Sequence, residues 1–117
     1  MEDSAFWESK VFCDDNIAIV AESGREIHGL IIAMLSTQPS LPFLKHKKVC
    51  RIGTIVVSES QQKKGLGKQL MAEVEHWAKR RGATEIKLEV MEFNQGALRF
   101  YDTLGFRTQS RILSKTI

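Results

Sequence analysis

The chain is poor in the residues that build disulfide scaffolds, metal centres and membrane spans. Its 117 residues hold two cysteines, two prolines and one tyrosine. Cys13 and Cys50 form no CxxC or metal pattern and read as free thiols of a reducing compartment. His28, His46 and His76 show no paired spacing, so no metal is expected. The apolar stretch at 30–35 is too short to cross a bilayer, and the first residues have no signal-peptide character. A protein of the cytoplasm, with no membrane partner, is expected. Net charge is modest, +3 with a pI near 9.0. That suits an anionic ligand and falls short of a dedicated nucleic-acid binder. The length fits one domain over 1–117 with a single core.

What is present centres on residues 55–82. An apolar run, Ile55, Val56 and Val57, feeds a polar loop with Gln62, Lys63, Lys64, Gly65, Leu66, Gly67 and Lys68. Apolar residues then recur at Leu66, Leu70, Val74, Trp77 and Ala78, the spacing of one buried helical face. Lys79, Arg80 and Arg81 make its last turn cationic, and Gly82 follows as a stop. A strand therefore delivers a glycine-containing loop to a helix N-terminus, whose first amides lack partners and sit at the positive end of the dipole. With Lys63, Lys64 and Lys68 alongside, this is a site for a phosphate-bearing anion.

Two nucleotide motifs fail here. A P-loop requires Ser or Thr after Gly67-Lys68, where Gln69 stands, and a glycine where Gln62 stands. A dinucleotide fingerprint requires a third glycine at Leu70. What fits is Gln62-x-x-Gly65-x-Gly67, which resembles the pyrophosphate-binding signature of the GNAT superfamily of N-acetyltransferases. Downstream, Asn94, Ala97, Phe100, Tyr101, Gly105 and Phe106 match every position of a second signature of that family. The two motifs stand in the family's order, with a helix and a strand between them.

The patterns predict a helix at 4–12, strands at 17–21, 27–35 and 49–57, then the long helix. A strand at 85–91, a helix at 95–104 and a final strand at 106–117 follow. The unbroken apolar run at 30–33 predicts a strand covered on both faces. The fold class is α/β of the mixed α+β kind. The resemblance implies a central, mostly antiparallel mixed sheet with helices on both faces. It also implies a splayed parallel strand pair that admits acetyl-CoA. Relatives usually open with another strand and two helices that wall the acceptor site. About 15 residues precede Ile17 here, so a strand and one helix of the usual fold are expected to be missing. The acceptor site is then unusually open, or completed by a second subunit, or the chain is a shortened relative. That opening and the short chain point to a homodimer.

By resemblance, Gln62–Lys68 takes the pyrophosphate of acetyl-CoA, and the backbone of Ile55, Val56 and Val57 pairs with the pantetheine arm. Asn94 contacts that arm, with Ala97 beside it. A strand N–H near Ile55 or Val56 polarises the carbonyl, a role worth about 3–4 kcal/mol. Tyr101 protonates the departing thiolate; taken without the motif, an aromatic on an apolar helix face is packing. Many relatives carry a glutamate four residues before the position of Val57; here that residue is Gly53, and no base is assigned. Glu59, Glu89 and Glu92 read as solvated surface. The leading expectation is acetyl transfer from acetyl-CoA to a primary amine. A CoA-binding module without catalysis comes second. A small RNA-binding protein using 45–48 and 79–81 comes third, and lacks exposed aromatics between its basic residues.

Overall fold

Apolar residues at every second position of 17–21 pack one side of a strand against a helix, and the same alternation recurs in the next two strands. The computed structural model describes residues 7–13, 15–24, 26–38, 47–62 and 64–117. Five strands lie in the order β1-β2-β3-β4-β5: β1 Trp7–Cys13, β2 Asn16–Ser23, β3 Glu26–Gln38, β4 Lys47–Val57 and β5 Glu85–Lys87. The first four pair antiparallel, and β4 pairs parallel with β5. Two helices complete the fold, α1 Leu66–Arg80 between β4 and β5 and α2 Gln95–Thr103 after β5. The mixed α+β sheet with one parallel pair is the architecture that the motifs imply.

The core lies between the sheet and α1. Ile17, Ile19 and Ala21 of β2, Ile31, Ala33 and Leu35 of β3, and Cys50 and Ile52 of β4 are all buried. They meet Leu66, Leu70, Met71, Val74, Trp77 and Ala78, one continuous stripe of α1. Each large side chain in that layer contributes about 1.5–3 kcal/mol of burial. Arg81 closes the helix and stacks over Trp77, 5.5 Å from the ring centroid.

Four expectations are corrected. Within the segment read as a helix at 4–12, residues 4–6 lie outside the described residues and 7–13 form β1. Continuous pairing with β2 from Trp7 to Cys13 satisfies that backbone across the sheet. The strand β3 is covered on one face only: Ile31 and Ala33 are buried while Ile32 is 39% and Met34 50% exposed. The fifth strand is three residues long, because its pairing with β4 ends at Arg51↔Lys87. The segment 106–117 forms no strand; it pairs with no strand among the described residues, and Ile112 and Leu113 are exposed.

Candidate active site

The site begins with a fault in β4. Ile32 of β3 faces Thr54, but the next residue, Ala33, faces Ile52. Gly53 is the extra residue of a β-bulge, and a bulge bends its strand and sharpens the local twist. The parallel pairing with β5 stops two residues earlier, at Arg51↔Lys87. Beyond that point the two segments part. The gap is a cavity of about 360 Å³ lined by 52–55 on one side, by 88–91 on the other, and by Asn94, Ala97 and Tyr101 of the α2 region. From Ile52 onward, the edge of β4 that faces β5 has no strand partner among the described residues.

The loop at the end of β4 leads to α1. Ser58 N donates to His28 O at 2.9 Å, and a 3-10 turn at Glu59–Gln61 follows. The Gln62 side chain folds back and donates from Nε2 to Val57 O at 3.0 Å, which ties the loop to the strand end. Gly65 precedes the helix at φ +88°, in the left-handed region, with open space where a Cβ would stand. No side chain caps α1, and its first turn carries no acidic residue. Its first amides therefore have neither an intrahelical acceptor nor a carboxylate to answer them. Lys64 and Lys68 are exposed beside them, and Lys63 lies outside the described residues. A cation in the first turn opposes the dipole, which makes sense where an anion sits between them.

Gly67 has a different reason for lacking a side chain. A Cβ there would stand 3.3 Å from Phe100 Cζ and 3.7 Å from Val57 Cγ2. That space is occupied by the ring of Phe100, which locks α2 against the start of α1. The sequence pattern marks Phe100 only as a motif position; its contact with Gly67 is visible only in three dimensions. Leu66 likewise is core, 4% exposed, so only its backbone is available to a ligand.

Asn94 caps α2: its Oδ1 accepts from Ala97 N at 3.1 Å. That leaves its amide NH2 as the end able to donate to a ligand in the cavity it lines. Tyr101 reaches the same cavity from α2, held edge-on by Phe100 (5.2 Å between centroids) and Phe106 (5.6 Å). Burial pushes its phenol above the ordinary value, so the group stays protonated through neutral pH. Its hydroxyl has no hydrogen-bond partner among the described residues. Of the residues singled out on sequence grounds, Ile55, Asn94, Ala97 and Tyr101 line the cavity. Gln62, Lys64, Gly65, Leu66, Gly67 and Lys68 form the neighbouring loop and helix start. Val57 bridges the two through Gln62, while Val56 is 56% exposed.

The geometry agrees with what comparison finds. The model of the acetyltransferase (GNAT) family matches residues 2–106. The chain belongs to that family. Rat N-acetyltransferase 8F1 is 30% identical over 96 residues, which cover 81% of this chain and 42% of the rat protein. The uncharacterized N-acetyltransferase YvbK of Bacillus subtilis is 34% identical over 90 residues, 77% of this chain and 52% of that protein. The chain thus spans about half the length of these relatives or less. Among solved structures, a putative acetyl transferase from Pyrococcus furiosus superposes with a TM-score of 0.77 at 28% identity, covering 88% of this chain and 66% of the other. AAC(6')-Iy in complex with a CoA-containing bisubstrate analogue gives 0.75 at 21% identity, over 90% and 71% of the two chains, a likeness of fold. Among the described residues no helix of this GNAT chain is long and apolar enough to cross a membrane.

Proposed function

We propose that this chain transfers an acetyl group from acetyl-CoA to a primary amine by direct attack within a ternary complex. The observation that carries the reading is the cavity where β4 and β5 part, adjoining an uncapped helix N-terminus flanked by lysines. An extended pantetheine arm would add along the unpaired edge of β4, and the diphosphate would accept from amides at Gly65–Lys68. AAC(6')-Iy, which shares the fold, holds CoA in its complexes, and this supports CoA as the ligand.

In this reading the amine nitrogen attacks the thioester carbonyl carbon while a β4 amide near Ile55 or Val56 receives the developing oxyanion. The C–S bond breaks, the sulfur leaves as thiolate and takes the proton of Tyr101, the nitrogen releases one proton to solvent and the tyrosinate recovers one from it, giving CoA and an amide. Cys50 supports direct attack over an acyl-cysteine route. It is fully buried away from the cavity, and burial pushes its thiol up to about 11, so it is not a thiolate at neutral pH.

Incubating the protein with acetyl-CoA and a panel of amines (a polyamine, an aminoglycoside, a lysine peptide) and measuring thiol release tests the reading. Turnover with any of them supports it. CoA binding without turnover favours the second reading, a CoA-binding module, which Gly53 supports by placing no side chain at the usual base position. The first reading also expects a homodimer, since Ile32, Met34 and Val56 leave an apolar surface on the open sheet face. A monomer by light scattering contradicts that part.

A further inference from the structure

The cleft is longer than an acetyl group needs. With the carbonyl oxygen held by a β4 amide near Ile55, the cavity still runs inward to Ile52, just short of the pair Arg51↔Lys87 that closes it. At ~3.3 Å per residue, the stretch from Ile55 to Ile52 is roughly 10 Å, whereas an acetyl group has one carbon beyond its carbonyl. Ile52 and Leu88 line this inner part with apolar side chains, and Val90 and Met91 continue that lining outward. The one formal charge among the lining residues, Glu89, is exposed and can keep its carboxylate in water. Between Ile52 and Thr54 the wall is Gly53, and its missing side chain has no local cause. Gly65 has a left-handed φ, and Gly67 lies against Phe100. Gly53 has no positive φ, and a Cβ on it would meet only Ile32 O, at 3.9 Å. The backbone and the neighbours would both accept a side chain there. What it would cost is room in the cleft that Gly53 lines.

We propose that the inner cleft is an acyl pocket, kept open by Gly53, and that the chain takes straight-chain acyl-CoA donors longer than acetyl-CoA. At ~1.5 Å per bond, acyl groups of about three to six carbons fit its length. The inference rests on the acetyltransferase reading for the position of the carbonyl and extends its donor class. Each further methylene leaves water for the apolar walls at Ile52 and Leu88. The transfer is otherwise that of an acetyl group. The amine nitrogen bonds to the acyl carbon, the C–S bond breaks, the thiolate takes the proton of Tyr101, and the nitrogen releases one proton to solvent. The amine approaches from above the plane of the thioester while the acyl chain continues within it, so the two occupy different space.

The test is a calorimetric series of Kd values for acetyl-, propionyl- and butyryl-CoA, which needs no turnover. In the natural protein the affinity should rise about fourfold per added methylene, the equivalent of ~0.8 kcal/mol each, so that butyryl-CoA binds roughly fifteenfold tighter than acetyl-CoA. Gly53→Val should remove that rise. It should also lower the ratio of kcat/KM for butyryl-CoA to that for acetyl-CoA, with one amine, by about 10-fold or more. Gly53→Ala adds only the Cβ that meets Ile32 O and should flatten the series part-way, which keeps the test open where the valine variant does not fold. Affinity that stays level or falls from acetyl- to butyryl-CoA in the natural protein overturns the acyl pocket. A rise that persists unchanged in both variants overturns the role of Gly53. A level donor series in which Gly53→Val raises the KM of the amine gives the space to the acceptor and overturns the pocket too. The predicted series of affinities with no turnover of any amine overturns the transfer reading and leaves the pocket standing as a binding property.

Discussion

The two halves of the sheet are built to different standards. From β2 to β4, side chains such as Ile19, Ile31 and Val49 are fully buried, and α1 lays six buried residues onto that surface. From β4 onward the packing thins: β5 has three residues, α2 contains no buried residue, and 107–117 is exposed. The first half carries the stability. The second half keeps a cleft open and places Asn94, Ala97 and Tyr101 around it. Elements that must admit a ligand are drawn from the less stable part of a fold.

That contrast can be broken in either half. Leu70→Ala, in the α1 stripe, should cost about 2–5 kcal/mol of stability by denaturant unfolding, because it leaves a cavity at a 1% exposed site. A loss well below this would mean that the first half is not the rigid frame. Tyr101→Phe should lower kcat by about 10²-fold with CoA affinity unchanged, since the hydroxyl has no partner among the described residues. A large drop in melting temperature instead would make Tyr101 a packing residue. Asn94→Ala should cost about 0.5–2 kcal/mol through the lost cap of α2, and weaken CoA binding as well. Stability loss with unchanged CoA binding would confine Asn94 to the cap.

The smallest effect lies at the closed end of the β4–β5 pair. The ammonium of Lys47, 3.0 Å from Glu85 Oε1, holds the Glu85 carboxyl below the ordinary carboxylate range. A depressed pKa means that this stabilisation is complete above the ordinary carboxylate value and is lost as pH falls through the lowered one. Lys47→Ala should therefore flatten the acid limb of a stability–pH curve by about 1 kcal/mol or less, as half-exposed pairs do. An unchanged curve would show that the pair contributes nothing.

The parts legible in the sequence were those written in local periodicity. The face of α1 at Leu66, Leu70, Val74, Trp77 and Ala78, the stop at Gly82, and the helix that begins at Gln95 all survive in the structure. The misread parts depend on pairing between distant residues. Nothing within 7–13 announces that it will lie against β2, and alternation through 85–91 does not reveal that β4 bulges at Gly53 and leaves 88–91 unpaired. Gly67 illustrates the same limit. Its pattern speaks of a ligand's approach, whereas its neighbour in space is Phe100, 33 residues away. Glu89, expected as solvated surface, is exposed in the structure.

The most direct test of the cofactor cleft is an amide proton–nitrogen NMR titration of the natural protein with acetyl-CoA. The account predicts the largest shifts at the amides of Gly65, Gly67 and Lys68, with a second group along Ile55–Val57 and at Asn94. Saturating acetyl-CoA that leaves those amides unmoved, or that moves only residues of β1 and β2, would contradict it.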